Sequence, residues 1–532
     1  MNTAAFCDAV LLMSKSAGFL LRPVAGPTVP GESSRCHRRL KIPRLSSLLF
    51  VAGLIWGTLW GQGTHPVLAQ IAGGVAGGAA GQAGGAGGQA GGAAGQAGGA
   101  AGQAGGGCAG GILVDPDGVI QPMFHRERTG RLDKKRRQEL AGKSLPGDLN
   151  EKSSLRKISL VQLEAACESH VRDKSHVSSE MQFLAGLQRI DYVFVYPDER
   201  DIVIAGPAEG YLIDNFGRAV GVSTGRPAMR LDDLMIALRS QERGGGAMRC
   251  SIDPNEANLK KLVAFIKQNS EATSLDVAKA QFELLGDILG MQDVSLSGVP
   301  SESHFAELFV EADIKMKRWA IGIDKPRVKG FRSHLSMVGA DGNSMQRWWF
   351  TPLYDAFTKT EDSLAFQFAG QRVQLLSQEE LYSDAGGRFD APFTRISTQK
   401  FSKQFTDRFA EIAEKTPVFA ELQNVFDLAV LAALIKKEQL ARRVEWPMAL
   451  FLDSERATIV KRNVPHKVPS VSNFKLIGND VFVAQVTGGV SIDAWQLLKH
   501  GEYKKDSGDK LKTAREAATT EERPEAHRWW WD

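Results

Sequence analysis

The run Arg347-Trp348-Trp349-Phe350 contains the residue types best suited to binding a ligand. Indole rings offer large flat faces, so the run could form a platform that stacks on sugars. The same run is predicted to be a strand, in which successive side chains point to opposite faces. At least one of the two tryptophans is therefore expected in the core. We predict Arg347, Trp348 and Trp349 as ligand-binding residues, with a structural role for one tryptophan as the alternative.

Asp427 is the carboxylate with the most interesting position. It lies in a predicted helix, on the face continued by Leu431 and Leu434, so we expect it to be buried. A buried acid is either paired or has a raised pKa, and both arrangements occur at active sites. Between these roles, the sequence favours a structural ion pair over catalysis.

The common catalytic and metal-binding motifs are missing from the sequence. It has no H-E-x-x-H, no Walker loop, no G-x-S-x-G and no C-x-x-C. Cys167 and His170 have C-x-x-H spacing, but no second pair completes a tetrahedral site. Gly105–Gly110 matches G-x-G-x-x-G only by letters, because it precedes a predicted strand instead of following one. We therefore expect no metal and no cofactor, and the sequence favours a non-catalytic protein.

A helix predicted at residues 417–440 is the element that would hold Asp427. Thr416 suits the N-cap, and Pro417 fits the first helical position, where its missing N–H costs nothing. Residues 428–435 are apolar all round, which predicts an enclosed helix. This run of eight residues is too short for a good membrane span.

A second helix is predicted just before it. Phe401, Phe405, Phe409 and Ile412 form one stripe at helical spacing, and Ser397 is the predicted cap. Since almost nothing joins the two helices, we expect them to pack as an antiparallel hairpin.

Several runs of alternating or β-branched residues predict strands. Tyr192–Tyr196 begins a meander that continues to Val222, and a hairpin is expected at 364–376. Phe474–Ile477 and Val481–Val486 should pair across a three-residue turn. The predicted fold is α+β, with mixed, mainly antiparallel sheets, helices and a C-terminal helical hairpin.

Composition divides the chain of 532 residues into five parts. The sequence predicts a presequence with a signal peptide at 1–69 and a disordered Gly/Ala/Gln arm at 70–111. An α+β unit with the meander is expected at 112–300, and a second with the central helix at 301–500. Residues 501–532 are predicted as a charged disordered tail.

The presequence is the most specific targeting signal. Basic residues from Arg35 to Arg44 precede the apolar stretch Leu45–Trp60, and small or neutral residues place signal cleavage between Ala69 and Gln70. Met1 and Met13 are both possible starts, and an uncleaved N-terminal anchor is the alternative. The formal charge of +4 depends on this segment, since 58 basic and 59 acidic residues remain without it. The charge therefore gives no argument for nucleic acid.

The arm repeats with a period of seven, marked by Gln82, Gln89, Gln96 and Gln103. It has no large apolar residue for a coiled coil, so we interpret it as a flexible tether. Signal cleavage would leave three cysteines, which allow at most one internal disulfide. For Cys167 and Cys250 we favour buried unpaired thiols, whereas Cys108 lies in the arm.

Five stretches after Gly111 carry a resemblance to a known family. The chain is similar to the secreted planctomycete proteins that carry domain-of-unknown-function family 1598. This resemblance implies no activity, cofactor or catalytic residue. The stretches are Leu184–Tyr211, Thr224–Arg239, Cys250–Leu259, His304–Arg318 and Pro417–Ile435.

Together these features predict an exported protein located in the periplasm, in the cell envelope or outside the cell. We expect a non-catalytic interaction protein whose partner is an envelope protein or a glycan. It should meet a membrane only during export. The two alternatives are a secreted hydrolase with an unrecognised active site and a glycan-binding module.

Overall fold

The computed structural model describes residues 108–114, 120–126, 131–144, 147–214, 217–244, 246–268, 275–339, 345–382, 388–477, 480–518 and 528–532. The predicted presequence, its cleavage site and the arm up to residue 107 lie outside these ranges. Cys108–Gly111, the end of the predicted arm, belong to the first described strand, which therefore begins four residues before the predicted start of order at Ile112.

The described residues form fifteen α-helices and a short 3₁₀ turn at Leu184–Gly186. The helices are α1 Arg131–Ser144, α2 Gly147–Asn150, α3 Leu160–Arg172, α4 Ser179–Gln182, α5 Leu231–Glu242, α6 Glu256–Gln268, α7 Leu275–Leu289, α8 His304–Ala320, α9 His334–Met337, α10 Ile396–Asp407, α11 Phe409–Lys415, α12 Pro417–Lys437, α13 Leu440–Arg443, α14 Ala494–His500 and α15 Lys510–Ala517.

Nineteen strands are described, and most belong to two sheets. They are β1 Cys108–Val114, β2 Ile120–Arg126, β3 Ser153–Ser159, β4 Tyr192–Tyr196, β5 Asp201–Ala208, β6 Tyr211–Ile213, β7 Ala219–Gly221, β8 Met248–Pro254, β9 Met291–Ser297, β10 Met345–Leu353, β11 Phe357–Lys359, β12 Ala365–Gln367, β13 Arg372–Tyr382, β14 Arg388–Asp390, β15 Lys467–Pro469, β16 Ser472–Ile477, β17 Asp480–Ile492, β18 Tyr503–Lys505 and β19 Trp530–Trp531.

The architecture is α+β with two mixed, mainly antiparallel sheets. The larger sheet has the order β14-β13-β10-β17-β8-β9-β15, and β16 also pairs with β17. The smaller sheet has the order β18-β11-β12-β4-β5-β3-β19. The parallel pairs are β10 with β17 and β11 with β18. Two further pairs, β1–β2 and β6–β7, stand apart from both sheets.

Neither large sheet follows the boundary predicted at residue 300. The larger sheet takes β8 and β9 from before it and its other strands from after it. The smaller sheet takes β3 to β5 from before it and β11, β12, β18 and β19 from after it. Strands from the two predicted units therefore interleave in both sheets.

Residues predicted as a disordered tail supply both edges of the smaller sheet. β18 pairs with β11 at one edge, and β19 pairs with β3 at the other. The described part of the tail also includes α15, whose Leu511 is buried. The charged composition suggested disorder, but this stretch also contains two short strands that complete the edges of the sheet, so average composition misled the prediction.

Two predicted strand pairings are wrong for a topological reason. β4 and β5 pair antiparallel as expected, but the other edge of β5 pairs with β3, so β6 and β7 form a separate pair instead of continuing a meander. The hairpin predicted at 364–376 is absent, since β12 pairs with β4 and β13 with β10. Positive φ angles at Gly370 and Arg372 redirect the chain between the two sheets. The β16–β17 hairpin is confirmed.

The helix α12 lies at the centre of the molecule. Its residues from Val418 to Ile435 are all buried, and it packs on α5, α8 and α14. Pro417 occupies the first turn as predicted, whereas Thr416 makes no side-chain capping bond. The helix ends at Lys437, because Gln439 has a φ of 52° and is the N-cap of α13. Among the described residues, α12 alone is long and apolar enough to cross a membrane, and its apolar window is wholly buried in protein.

The helix predicted before α12 is split into α10 and α11 at Arg408. Ser397 is buried in the first turn of α10 instead of capping it, and the cap position is Arg395. α10 packs mainly on β13. Its contact with α12 is concentrated where Phe405 meets Phe419, with ring centroids 5.4 Å apart. The predicted packing of α10 against α12 as an antiparallel hairpin is therefore limited to this contact, and α10 instead covers the larger sheet.

Candidate functional site

The two tryptophans of β10 lie on opposite faces of the larger sheet. Trp348 is fully buried, and its ring centroid lies 5.0 Å from those of both His334 and Phe401. Its indole is closed to ligands, which removes it from the predicted binding residues and supports the structural alternative. Trp349 is half-buried on the other face, and the Arg347 guanidinium carbon lies 5.8 Å from its ring centroid.

A row of small residues extends across the sheet from Trp349. In register, Trp349 is followed by Gly489 on β17, Ser251 on β8 and Ser295 on β9. At about 4.8 Å per strand, this row is roughly 14 Å long. A Cβ atom at Gly489 would lie 1.9 Å from the carbonyl oxygen of Cys250, so only glycine fits there. We name this row of small residues, with the Trp349 ring at one end, the trough.

Polar and charged side chains flank this trough. Asp253 and Asp293 face each other across β8 and β9, and the Ser251 hydroxyl donates to the Asp253 carboxylate. On the other side, Arg249 and Ser297 are paired and exposed. The face of the larger sheet thus combines an aromatic ring with hydroxyls, carboxylates and guanidinium groups. These groups suit a ligand that has an apolar ring face and many hydroxyls.

Asp427 is fully buried in a network of hydrogen bonds. The sequence predicted its burial but not the residues that contact it. Its carboxylate accepts hydrogen bonds from the Tyr354 hydroxyl at 2.8 Å, the Ile190 amide at 3.1 Å and Arg372 Nε at 3.2 Å. Burial raises the pKa of Asp427, and the charge of Arg372 opposes that shift. Arg372 also donates to Asp191 at 3.0 Å. This is the structural ion pair that the sequence favoured over catalysis, and it joins α12 to both sheets.

A second buried network is centred on His304, and the sequence did not predict it. Its Nδ1 lies 2.8 Å from Asp233 Oδ2, and its Nε2 lies 3.5 Å from Glu421 Oε1. Arg218 donates from Nε to Glu421 at 2.6 Å and also pairs with Glu311. These residues come from the loop before β7 and from α5, α8 and α12. No local motif connects positions so far apart, so only the fold reveals the cluster.

The charges of this network are fixed by its contacts. Burial alone would lower the pKa of His304, but the charge and hydrogen bond of Asp233, with help from Glu421, raise it to about 9. Burial alone would raise the pKa of Glu421, but its bond to His304 and the charge of Arg218 lower it to about 2. At neutral pH the imidazolium therefore has a carboxylate at each nitrogen. It has no free nitrogen with which to accept a proton from a substrate.

Other buried groups are also engaged in the core. Lys317 and Asp313 form a fully buried pair at 2.7 Å one turn apart on α8. Cys167 and Cys250 are free buried thiols, which confirms the prediction for them. Burial raises the pKa of the Cys167 thiol to about 12, so it is not a reactive thiolate. In the part of the chain that the structure describes, no three His, Cys, Asp or Glu side chains are grouped to hold a metal ion.

Residues 250–334 match a family described as "Protein of unknown function (DUF1598)". The DUF1598 domain is therefore present in this chain. It extends from Cys250 in β8 to His334 in α9 and includes α6 to α8 and β9. It thus supplies Ser251 and Ser295 to the trough and His304 to the buried network. No curated protein and no solved structure matches the chain.

Proposed function

We propose that this protein is exported and acts as a non-catalytic interaction protein of the cell envelope or the extracellular space. The basic residues and the apolar stretch of the predicted presequence support export. The observation that carries the non-catalytic role is the His304 network, where carboxylates face both imidazole nitrogens. The best acid–histidine cluster of the described residues is therefore built to hold α5, α8 and α12 together.

The two buried networks do not provide what a secreted hydrolase needs at its active site. A hydrolase needs a nucleophile or a water next to a base that can accept a proton. Asp427 is closed off by three hydrogen-bond donors, and His304 is already protonated at neutral pH. Among the described residues, these two groups are the strongest acid–base candidates, and both are engaged in ion pairs inside the protein.

Glycan binding is the second candidate, and the trough beside Trp349 favours it. The indole can stack on a sugar ring while the hydroxyls of Ser251 and Ser295 donate to or accept from the sugar hydroxyls, and the flanking carboxylates accept from them. A trough of roughly 14 Å has room for two or three sugar rings in a row. This ligand class would give the interaction protein its attachment to envelope or extracellular polysaccharide.

Cell fractionation tests export, and polysaccharide retention tests the binding face. We expect the protein in washed envelopes or in culture supernatant. Purified protein should be retained by envelope polysaccharide, and Trp349→Ala should reduce that retention at least about tenfold, which corresponds to the loss of one stacking contact of about 1.4 kcal/mol. Phe393→Ala is the matched control, because Phe393 is an exposed aromatic residue away from the trough.

The possible outcomes separate the two proposals. Protein found only in the cytoplasm would overturn export. Retention that survives Trp349→Ala would overturn the trough as the glycan site while leaving the interaction role to be tested by crosslinking in intact cells. Hydrolysis of the retained polysaccharide by the purified protein would overturn the non-catalytic role.

A further inference from the structure

The segment Arg528–Asp532, which we name the Trp strand, is docked as an edge strand of the smaller sheet. Within it, Trp530 pairs with Ile158 and Trp531 pairs with Lys157 of β3. The Ser159 amide donates to the Trp529 carbonyl at 2.9 Å. The segment thus binds by adding a strand to an exposed sheet edge, a common mode of peptide recognition.

The three indoles of the Trp strand are buried against both faces of the sheet. Trp529 and Trp530 join the main core, while Trp531 packs in a second core with Phe194 and Leu511. Each indole buries about 150–250 Å². A segment of five residues therefore makes an anchor as apolar as the centre of a protein interface.

Arg156 gives this docking site its chemical specificity. Its guanidinium is fully buried and donates to both carboxylate oxygens of Asp532, at 2.7 and 2.8 Å. It also donates to the Ala185 carbonyl at 2.7 Å and lies 4.4 Å from the Trp530 ring centroid. A buried guanidinium in this geometry needs a carboxylate partner. The site therefore recognises an acidic residue that follows aromatic ones.

Further contacts define the outer side of the same site. The Trp530 Nε1 donates to the Glu180 carboxylate. Arg528 pairs with Asp148 and lies 4.1 Å from the Trp530 ring centroid. Five consecutive residues thus pair with the backbone of β3, pack in two apolar cores and contact three charged side chains.

We propose that β3 and Arg156 form a strand-acceptor site that takes the Trp strand of a second copy of this chain, so that copies couple by exchanging the segment. Such an exchange reproduces the same contacts and needs no new interface. Residues 519–527 join the Trp strand to the rest of the chain, and nine residues span at most about 30 Å. A second copy within that distance has the same sequence and can therefore supply the segment.

The first test asks whether the site binds the segment as a separate ligand. A protease site is introduced within residues 519–527 of the full chain and cleaved after folding, and a fluorescent peptide of sequence Arg-Trp-Trp-Trp-Asp is added. We expect saturable binding as the labelled peptide exchanges with the cleaved segment. A peptide ending in Asn instead of Asp should bind at least about tenfold more weakly, because the charge-assisted bond to Arg156 is lost. Unchanged binding in Arg332→Met, which changes an exposed arginine that contacts Gln404 of α10, is the control.

The second test asks whether a second copy is the partner. One variant, Arg156→Met, has a weakened site and an intact Trp strand. The other, Trp530→Ala with Trp531→Ala, has an intact site and a weakened strand. We expect the mixture to form a one-to-one pair by sedimentation, whereas each variant alone does not.

Each result decides a part of the proposal. Failure of the labelled peptide to bind the cleaved chain at saturating concentration would overturn the acceptor site, and that measurement stands even if Arg156→Met does not fold. Peptide binding without pairing of the two variants would overturn the second copy as the partner.

Discussion

β10 and β19 are both tryptophan-bearing strands with a guanidinium beside an indole, yet their surroundings differ. β10 is a central strand of the larger sheet with one face on the core and one face open, so Trp348 is buried and Trp349 is half-exposed. β19 is an edge strand of the smaller sheet, yet Trp530 and Trp531 are both buried. The exposure of a tryptophan here depends on whether a layer covers that face of the sheet, and position within the sheet does not decide it.

The two arginines follow the same difference. Arg156 is fully buried and holds Asp532, whereas Arg347 keeps about a third of its side chain exposed beside Glu380. A buried charge contributes strongly only while its partner remains, and an exposed pair is screened by water. The Trp strand should therefore depend on its ion pair, and the face at Trp349 should not.

The largest effects are expected at Trp348 and Trp530, which are both buried. Trp348→Ala and Trp530→Ala should each lower the free energy of unfolding by about 4 kcal/mol, because each leaves a large cavity. Urea denaturation measures this loss, and the corresponding Trp→Phe variants, which keep most of the volume, are the controls. A loss below about 1 kcal/mol for Trp530→Ala would mean that the Trp strand adds little to the fold.

The next effect concerns the carboxylate partner of Arg156. Asp532→Asn should destabilise the protein by about 3 kcal/mol, because it leaves a buried guanidinium without its counter-charge. Arg156→Met should cost less, since Asp532 is partly exposed and can be hydrated. Denaturation of the two single variants and of the double variant gives the coupling energy. Equal losses in both single variants would contradict this asymmetry.

A pH effect should distinguish the surroundings of Trp348, which include His334, from the Trp strand. Burial, with the charge of Arg395, lowers the pKa of His334 from 6.5 to about 3. Below pH 6.5 the unfolded chain takes up a proton that the folded protein does not, so His334 reduces stability as the pH falls from about 6.5 towards 3. At pH 5 the loss relative to neutral pH should be about 2 kcal/mol.

Thermal denaturation of the wild type and of His334→Gln over this pH range measures the effect. The variant should lose that part of the pH dependence and should keep the part that comes from carboxylates elsewhere. Identical pH profiles would show that His334 does not titrate as its burial against Trp348 requires.

The smallest effect is expected at the open face of β10. Trp349→Ala should change the free energy of unfolding by less than about 1 kcal/mol, since the indole is half in water and leaves no closed cavity. The same variant should lose the polysaccharide retention proposed above. Urea denaturation beside the retention assay separates a binding role from a structural one. A large loss of stability would place Trp349 with Trp348 in the core.

Local sequence patterns were enough for some elements and not for others. The central helix and the β16–β17 hairpin were predictable because apolar spacing and turn residues lie close together in the chain. Burial of Asp427 also followed from its helical face. Which of Trp348 and Trp349 is buried depends on α9 and α10, which cover one side of the sheet, and the sequence of β10 contains no information on that.

The Trp strand and the His304 network show the same limit more strongly. Asp233 and Glu421 meet His304 from positions far away in the sequence, so their pairing is a property of the packed helices. The Trp strand follows a charged stretch, and average composition hid an apolar run of three residues. Its site exists only because β3 is left at a sheet edge, which depends on the order of strands across the whole smaller sheet.

The strand order has a consequence for how the chain folds. Both edges of the smaller sheet come from residues after 502, and its centre comes from residues before 210. Such long-range pairing is slow, since the entropy of closing large loops must be overcome before the contacts form. A ribosome-bound chain therefore cannot complete this sheet until its last strands have emerged. Until residues 503–531 have emerged, this part of the nascent chain should remain incompletely folded.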